Sequence, residues 1–150
     1  MTVNTPLPKP PSNLRPRQVE AFNAIFEHLS RGISSQLCML PTGVGKTFLA
    51  VAVAHQFKRA LFLVPRIELL KQSIASYEAV TPGATAGAIY GNVTDVDAHF
   101  TVGMVQTVFN RMEQLPRTYF DLVCVDEAHH SAARVWRAVA EYFQPRLLLG

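Results

Sequence analysis

Apolar residues along the chain repeat with two alternating periods. Between residues 16 and 30, Val19, Phe22, Phe26 and Leu29 recur at spacings of three and four, the signature of an amphipathic helix. Pro16 suits a first helical turn and Gly32 closes the run. A short apolar strand is expected at Gln36–Leu40, followed by a buried helix over Lys46–Phe57, where Phe48, Leu49, Val51 and Val53 leave few polar faces. Ala60–Val64 reads as a strand and Arg66–Tyr77 as a helix through Leu70, Ile74 and Tyr77. Thr81-Pro82-Gly83 is turn chemistry. Strands are expected at Thr85–Tyr90 and Thr101–Met104, then a helix through Val108 and Met112. Phe120–Val125 is a strong strand, Ser131–Phe143 a helix, and Arg146–Leu149 apolar again. Strand–helix alternation implies an α/β fold with a mainly parallel sheet covered on both faces. The unbroken apolar character of segments such as FDLVCVD fits strands buried on both sides.

Composition narrows the class. With 150 residues, 49% hydrophobic and 17% charged, the sequence fits one globular domain and not a disordered chain. It holds no run of 18 apolar residues, and its first residues lack the apolar stretch of a secretory signal, so no membrane partner is expected. Cys38 and Cys124 both sit in apolar runs and are expected as buried, reduced thiols. A cytoplasmic protein is the expectation. Five of the ten prolines fall within residues 1–16, so residues 1–13 are expected to form an extended, flexible arm before a domain spanning 14–150. A net charge of +3 is too mild to argue for nucleic acid by itself.

Two segments carry chemistry. Leu40–Thr47 reads L-P-T-G-V-G-K-T between an expected strand and helix. This matches the phosphate-binding loop G-x-x-x-x-G-K-[ST], except that Leu40 stands in place of the first glycine. Gly43 and Gly45 would let this expected nucleotide-binding loop, which also holds Pro41, Thr42 and Val44, turn its backbone amides around phosphate oxygens. Lys46 would reach the β- and γ-phosphates of ATP, and the Thr47 hydroxyl would ligate Mg2+. The second segment, L-V-C-V-D-E-A-H-H, delivers Asp126 and Glu127 at the C-terminal end of a buried strand, where open α/β sheets bind ligands. Asp126 is placed to hold Mg2+ and Glu127 to polarise an attacking water. His129 is expected as a hydrogen-bonding relay. A zinc reading of His129 and His130 is set aside, because H-E-x-x-H and a completing Cys/His cluster are both missing from the sequence.

In order, Leu14–Gln18, Pro41–Thr47, Val64–Gln72, Val102–Thr107 and Asp126–His129 resemble the early motifs of superfamily 2 helicases. The nearest likeness is to the bacterial group related to the helicase subunit of type III restriction enzymes, over roughly residues 14–150. The resemblance implies a three-layer P-loop (RecA-like) domain that binds ATP and Mg2+ and works on nucleic acid, DNA before RNA. It implies that Gln18, with Arg17 nearby, reads the adenine edge, since an amide both donates and accepts. It implies that Pro65, Arg66 and Thr107 touch nucleic-acid backbone, and that His129 couples the two sites. In this family the sequence after L-L-L-G runs on into a T-A-T-like motif and a second RecA-like domain, whereas this sequence stops at Gly150. The resemblance therefore implies an incomplete domain, weak Mg-ATP binding and little hydrolysis alone. It also implies that Arg146–Gly150 inserts between the P-loop strand and the acidic-loop strand, leaving the P-loop strand without an edge partner. Two other functions compete: an unrelated P-loop enzyme such as a kinase, and a non-catalytic nucleotide- or DNA-binding fragment. A kinase would carry an acceptor site and a lid, and the sequence shows neither.

Overall fold

The computed structural model describes residues 6–38, 45–126 and 133–150. Helix α1 (Pro16–Ser30) precedes strand β1 (Ser35–Gln36), helix α2 (Gly45–Ala54), strand β2 (Ala60–Val64) and helix α3 (Ile67–Val80). Then come β3 (Gly87–Tyr90), β4 (Val93–Asp95), β5 (Phe100–Met104), α4 (Val105–Arg111), β6 (Leu122–Val125), α5 (Ala133–Phe143) and β7 (Leu147–Leu149). The strands form one sheet in the order β1-β7-β6-β2-β5-β3-β4, in which the β3–β4 pair alone is antiparallel.

Alternation along β2 builds the three layers. Ala60, Phe62 and Val64 face one core with Phe22 and Phe26 of α1, the apolar residues of α2, and Leu70 and Tyr77 of α3. Leu61 and Leu63 face the other, with Val105 and Val108 of α4 and Val139 and Phe143 of α5. All five β2 side chains are buried, which explains why this strand reads as a continuous apolar run. Each large apolar side chain hidden this way contributes about 1.5–3 kcal/mol.

The last strand inserts where expected. Leu148 and Leu149 pair with Ser35 and Gln36 on one side and with Val123 and Cys124 on the other. Among the described residues β1 has β7 as its one neighbour and stands at the sheet edge. Two expectations are corrected. Val93–Asp95 forms a strand not read from the sequence, because all three residues are exposed and carry no apolar alternation. Cys38 is half-buried where a buried thiol was expected, since it follows an edge strand with nothing beyond it, while Cys124 is buried in mid-sheet. The expected strand residues Met39 and Leu40 lie outside the described residues.

Candidate nucleotide and nucleic-acid site

The parallel strands share a level at their C-terminal ends. Leu63 stands opposite Val125 and Gly103, and Gly103 opposite Ile89. Asp126 therefore leaves β6 beside the end of β2, where its amide donates to the Leu63 carbonyl at 2.9 Å. Lys46 and Thr47 occupy the first turn of α2, both partly buried. Lys46 lines a narrow cleft with Cys38, Cys124, Val125, Leu149 and Gly150, so its side chain lies over the ends of β1, β7 and β6. Its charge reaches both thiols. Burial pushes Cys124 up to about 12 despite the lysine, and Cys38 is raised for the same dominant reason. Pro41, Thr42, Gly43 and Val44 of the phosphate loop, and Glu127 and His129 of the acidic segment, lie outside the described residues.

Gln18 is the most informative residue of the site. It is buried in the third position of α1, and both its polar atoms are engaged. Its Oε1 accepts from the Arg15 amide at 2.8 Å, satisfying a donor that the helix leaves unpaired. Its Nε2 donates to the Gly45 carbonyl at 3.0 Å, tying α1 to the start of the P-loop helix. A methyl at Gly45 would lie 3.1 Å from that nitrogen, which gives this glycine a packing reason besides its loop role. The amide retains one donor hydrogen and one acceptor lone pair for a ligand. Gln18 borders a cavity of about 370 Å3 together with Arg15, Gly45, Phe48 and Val51, and with Pro11 and Asn13 from the preceding segment. Arg17, the neighbour named from the sequence, is exposed and does not line this cavity; Arg15 does. The far end of the cavity reaches His55 and Val80.

His99, given no role from the sequence, closes the other end of α2. Its Nε2 is 2.8 Å from the carbonyls of both Ala54 and Phe57, and its Nδ1 is 3.2 Å from the Tyr77 hydroxyl. These three contacts anchor the end of α2 to β5 and α3. No short-range signal in the sequence links residues so far apart.

Pro65 and Arg66 lead from β2 into α3, partly buried and exposed respectively, and Thr107 lies partly buried in the first turn of α4. They leave adjacent strands at one level, separated from the Lys46–Asp126 region by the end of β2. The Asp126 carboxylate and the Thr47 hydroxyl are oxygen donors of the kind Mg2+ takes, an ion that keeps few protein ligands and completes its octahedron with water and phosphate oxygens. Among the described residues no group of three His, Cys, Asp or Glu side chains is gathered for a metal ion.

Comparisons with known proteins agree with this geometry. Residues 11–150 match the family described as "Type III restriction enzyme, res subunit". The "DNA 3'-5' translocase XPB2" of Sulfurisphaera tokodaii is 34% identical over 149 residues, covering 97% of this chain and 31% of the relative. An Escherichia coli "Type I restriction enzyme EcoAI endonuclease subunit" is 26% identical over 148 residues, covering 89% of this chain and 18% of the relative. Among solved structures, the Sulfolobus solfataricus SWI2/SNF2 ATPase core in complex with dsDNA superimposes with a TM-score of 0.74 at 15% identity, over 97% of this chain and 33% of that one. The chain thus spans between 18% and 33% of the length of these proteins. Among the described residues no helix is long and apolar enough to cross a membrane. Fold, motif order and family match converge: the chain belongs to the type III restriction enzyme res-subunit family, and is the superfamily 2 helicase ATP-binding domain of that ATP-hydrolysing group.

Proposed function

We propose that this chain is the ATP-binding half of an ATP-dependent DNA helicase or translocase. The observation that carries the reading is the Gln18–Gly45 link, which sets a base-reading amide against the residue preceding Lys46. In this reading the adenine enters the Gln18 cavity, and the phosphates run along Pro41–Thr47 towards Lys46. The Lys46 ammonium neutralises charge on the β- and γ-phosphates. Thr47 and Asp126 hold Mg2+, which when bound draws charge from the phosphate oxygens. Glu127 orients the attacking water and accepts its proton. Pro65, Arg66 and Thr107 contact the DNA backbone, giving register without sequence readout. That the matching S. solfataricus core is bound to dsDNA and the S. tokodaii relative is named a DNA translocase supports DNA over RNA.

Hydrolysis needs more than this domain. An arginine supplied from a second RecA-like domain is worth about 10³–10⁵ in rate. The isolated 150-residue chain therefore binds Mg-ATP weakly and turns it over slowly. Lys46→Ala should abolish binding of a fluorescent ATP analogue; retained affinity would overturn the nucleotide site. Robust DNA-stimulated ATPase from the isolated chain would overturn its dependence on a second domain.

A further inference from the structure

The cavity beside Gln18 is longer than a base needs. Gly45, Phe48, Ala52 and His55 border it at spacings of three and four, which puts them on one face of α2. His55 continues that helix past Ala54, its amide donating to the Val51 carbonyl at 3.1 Å. At a rise of about 1.5 Å per residue, Gly45 and His55 stand about 15 Å apart along the axis. The volume, about 370 Å3, lies within the range of about 300–1,000 Å3 that takes whole drug-sized ligands. A purine, two fused rings, fills only part of that length and volume.

The two ends of the cavity differ. At the near end Gln18 is tied to Gly45, and Phe48 follows one turn along α2. Phe48 is the one apolar residue of α2 that joins neither core, whereas Leu49, Ala50, Val51, Ala52, Val53 and Ala54 are all buried. Its half-buried ring is left to the cavity, where it offers a flat apolar surface to a base. At the far end Val51, Ala52 and Val80 are apolar and His55 is the polar member. The His55 Nε2 lies 3.2 Å from the Thr81 hydroxyl, and its ring centre lies 5.9 Å from that of His99 and 6.3 Å from that of Tyr77. These contacts hold the imidazole at the end of α2. Burial first and His99 second lower its proton affinity, so the ring is neutral at pH 7. A neutral ring among apolar neighbours suits an uncharged, apolar group and gives no counter-charge to a second phosphate.

The chemistry of a nucleotide supplies the direction. In the reading above the phosphates run towards Lys46, in the first turn of α2. Adenine joins its ribose through the five-membered ring and carries its exocyclic amine on the six-membered ring, at the end remote from the phosphates. A base entering beside Gln18 therefore turns that amine down the cavity, towards His55. We propose that the far end, formed by Val51, Ala52, His55 and Val80, is a subsite for an apolar group carried on the exocyclic amine of adenine. Adenine nucleotides substituted at that amine are then a ligand class of this chain. This rests on the nucleotide reading above and extends its substrate class. A singly substituted amine keeps one hydrogen to donate, so Gln18 can still accept from the base.

The test uses the whole 150-residue chain and compares ATP with ATP carrying a benzyl group on its exocyclic amine (benzyl-ATP). Each displaces a fluorescent ATP analogue in the presence of Mg2+. Benzyl-ATP should bind about ten-fold more tightly, as expected for taking part of an aromatic side chain's worth of apolar surface out of water. The imidazole C–H resonances of His55 should shift with benzyl-ATP and stay in place with ATP. Val80→Trp fills the far end and should lower the ratio of the two affinities about ten-fold. Should that variant fail to fold, the wild-type affinities and the His55 resonances carry the test. Benzyl-ATP binding no more tightly than ATP, a tighter benzyl-ATP that leaves His55 silent, or a ratio unmoved in folded Val80→Trp overturns this inference and leaves the nucleotide reading intact. A wild-type chain that binds neither nucleotide overturns both together.

Discussion

Gln18→Ala separates the structural and recognition duties that one side chain performs. The wild-type amide makes two internal hydrogen bonds, to the Arg15 amide and the Gly45 carbonyl, and the residue is 6% exposed. Each bond contributes about 1 kcal/mol net. Removing both, together with part of a buried side chain, should cost about 2–3 kcal/mol. For a chain of this size that lowers the melting temperature by about 4–12 °C, readable by circular dichroism. The same substitution removes the amide that borders the proposed adenine cavity. Competition titrations should then show ATP and GTP binding with similar affinity, whereas the wild type prefers ATP. Gln18→Glu divides the effect further. A carboxylate oxygen still accepts from Arg15 but cannot donate to Gly45, so the loss in melting temperature should be intermediate near neutral pH. Protonation of that carboxyl at lower pH restores a donor, and the gap to the wild type should narrow. A Gln18→Ala protein that melts with the wild type and still prefers ATP would refute the reasoning on both counts.

Three further outcomes follow from the same geometry. Cys124, held at about 12 by burial, should resist thiol reagents at neutral pH until the chain unfolds. Half-buried Cys38 should label slowly, and more slowly still with ATP present, because it lines the cleft that Lys46 occupies; equal labelling of both thiols in the folded protein would contradict the sheet order. Burial first and His99 second lower His55 from its ordinary 6.5. The unfolded chain then binds the proton first as pH falls, so His55 favours folding fully above about 6.5 and loses that contribution below it. His55→Gln should flatten the dependence of chemical-denaturation midpoint on pH between about 7 and 5, and an unchanged slope would count against this account. Leu37 is 71% exposed beside the open edge of β1. Leu37→Lys should reduce self-association in light scattering while leaving the melting temperature near wild type.

How much of this was legible in the sequence depends on the range of the interaction. The strand–helix alternation was legible, since buried parallel strands and a mostly apolar α2 leave local signatures, whereas the insertion of the last strand was implied by the resemblance to helicases alone. Val93–Asp95 was not, because pairing with Ala88–Tyr90 through a two-residue turn, and not burial, makes it a strand. At the site, the P-loop pattern pointed to Lys46 and the resemblance to helicases pointed to Gln18 with Arg17, but neither pointed to Arg15, which lines the cavity. Which of two neighbouring arginines faces inward is decided by how α1 packs on α2, and Arg15 and Arg17 look alike in a linear pattern. His99 bonds across 42 to 45 residues and Arg111 across 17 to 20, so neither leaves a trace at short spacing. Arg111 holds the β3–β4 turn, which is exposed throughout, whereas His99 caps a helix whose apolar side chains are already buried.

The strand order also says how the proposed nucleotide and nucleic-acid sites would be joined. Lys46 and Asp126 stand over β1, β7 and β6, whereas Arg66 and Thr107 leave β2 and β5. The border between them is the β6–β2 pair. At that border the Asp126 amide donates to the Leu63 carbonyl at 2.9 Å, two residues before Pro65 and three before Arg66. β2 is buried along its whole length and cannot shift without disturbing both cores. In the proposed reading a displacement of Asp126 on phosphate release would act first on the Leu63 carbonyl, and the exit from β2 lies two residues on, where proline fixes φ. One hydrogen bond and three residues of chain would then join the carboxylate proposed to hold Mg2+ to the arginine proposed to meet the nucleic-acid backbone.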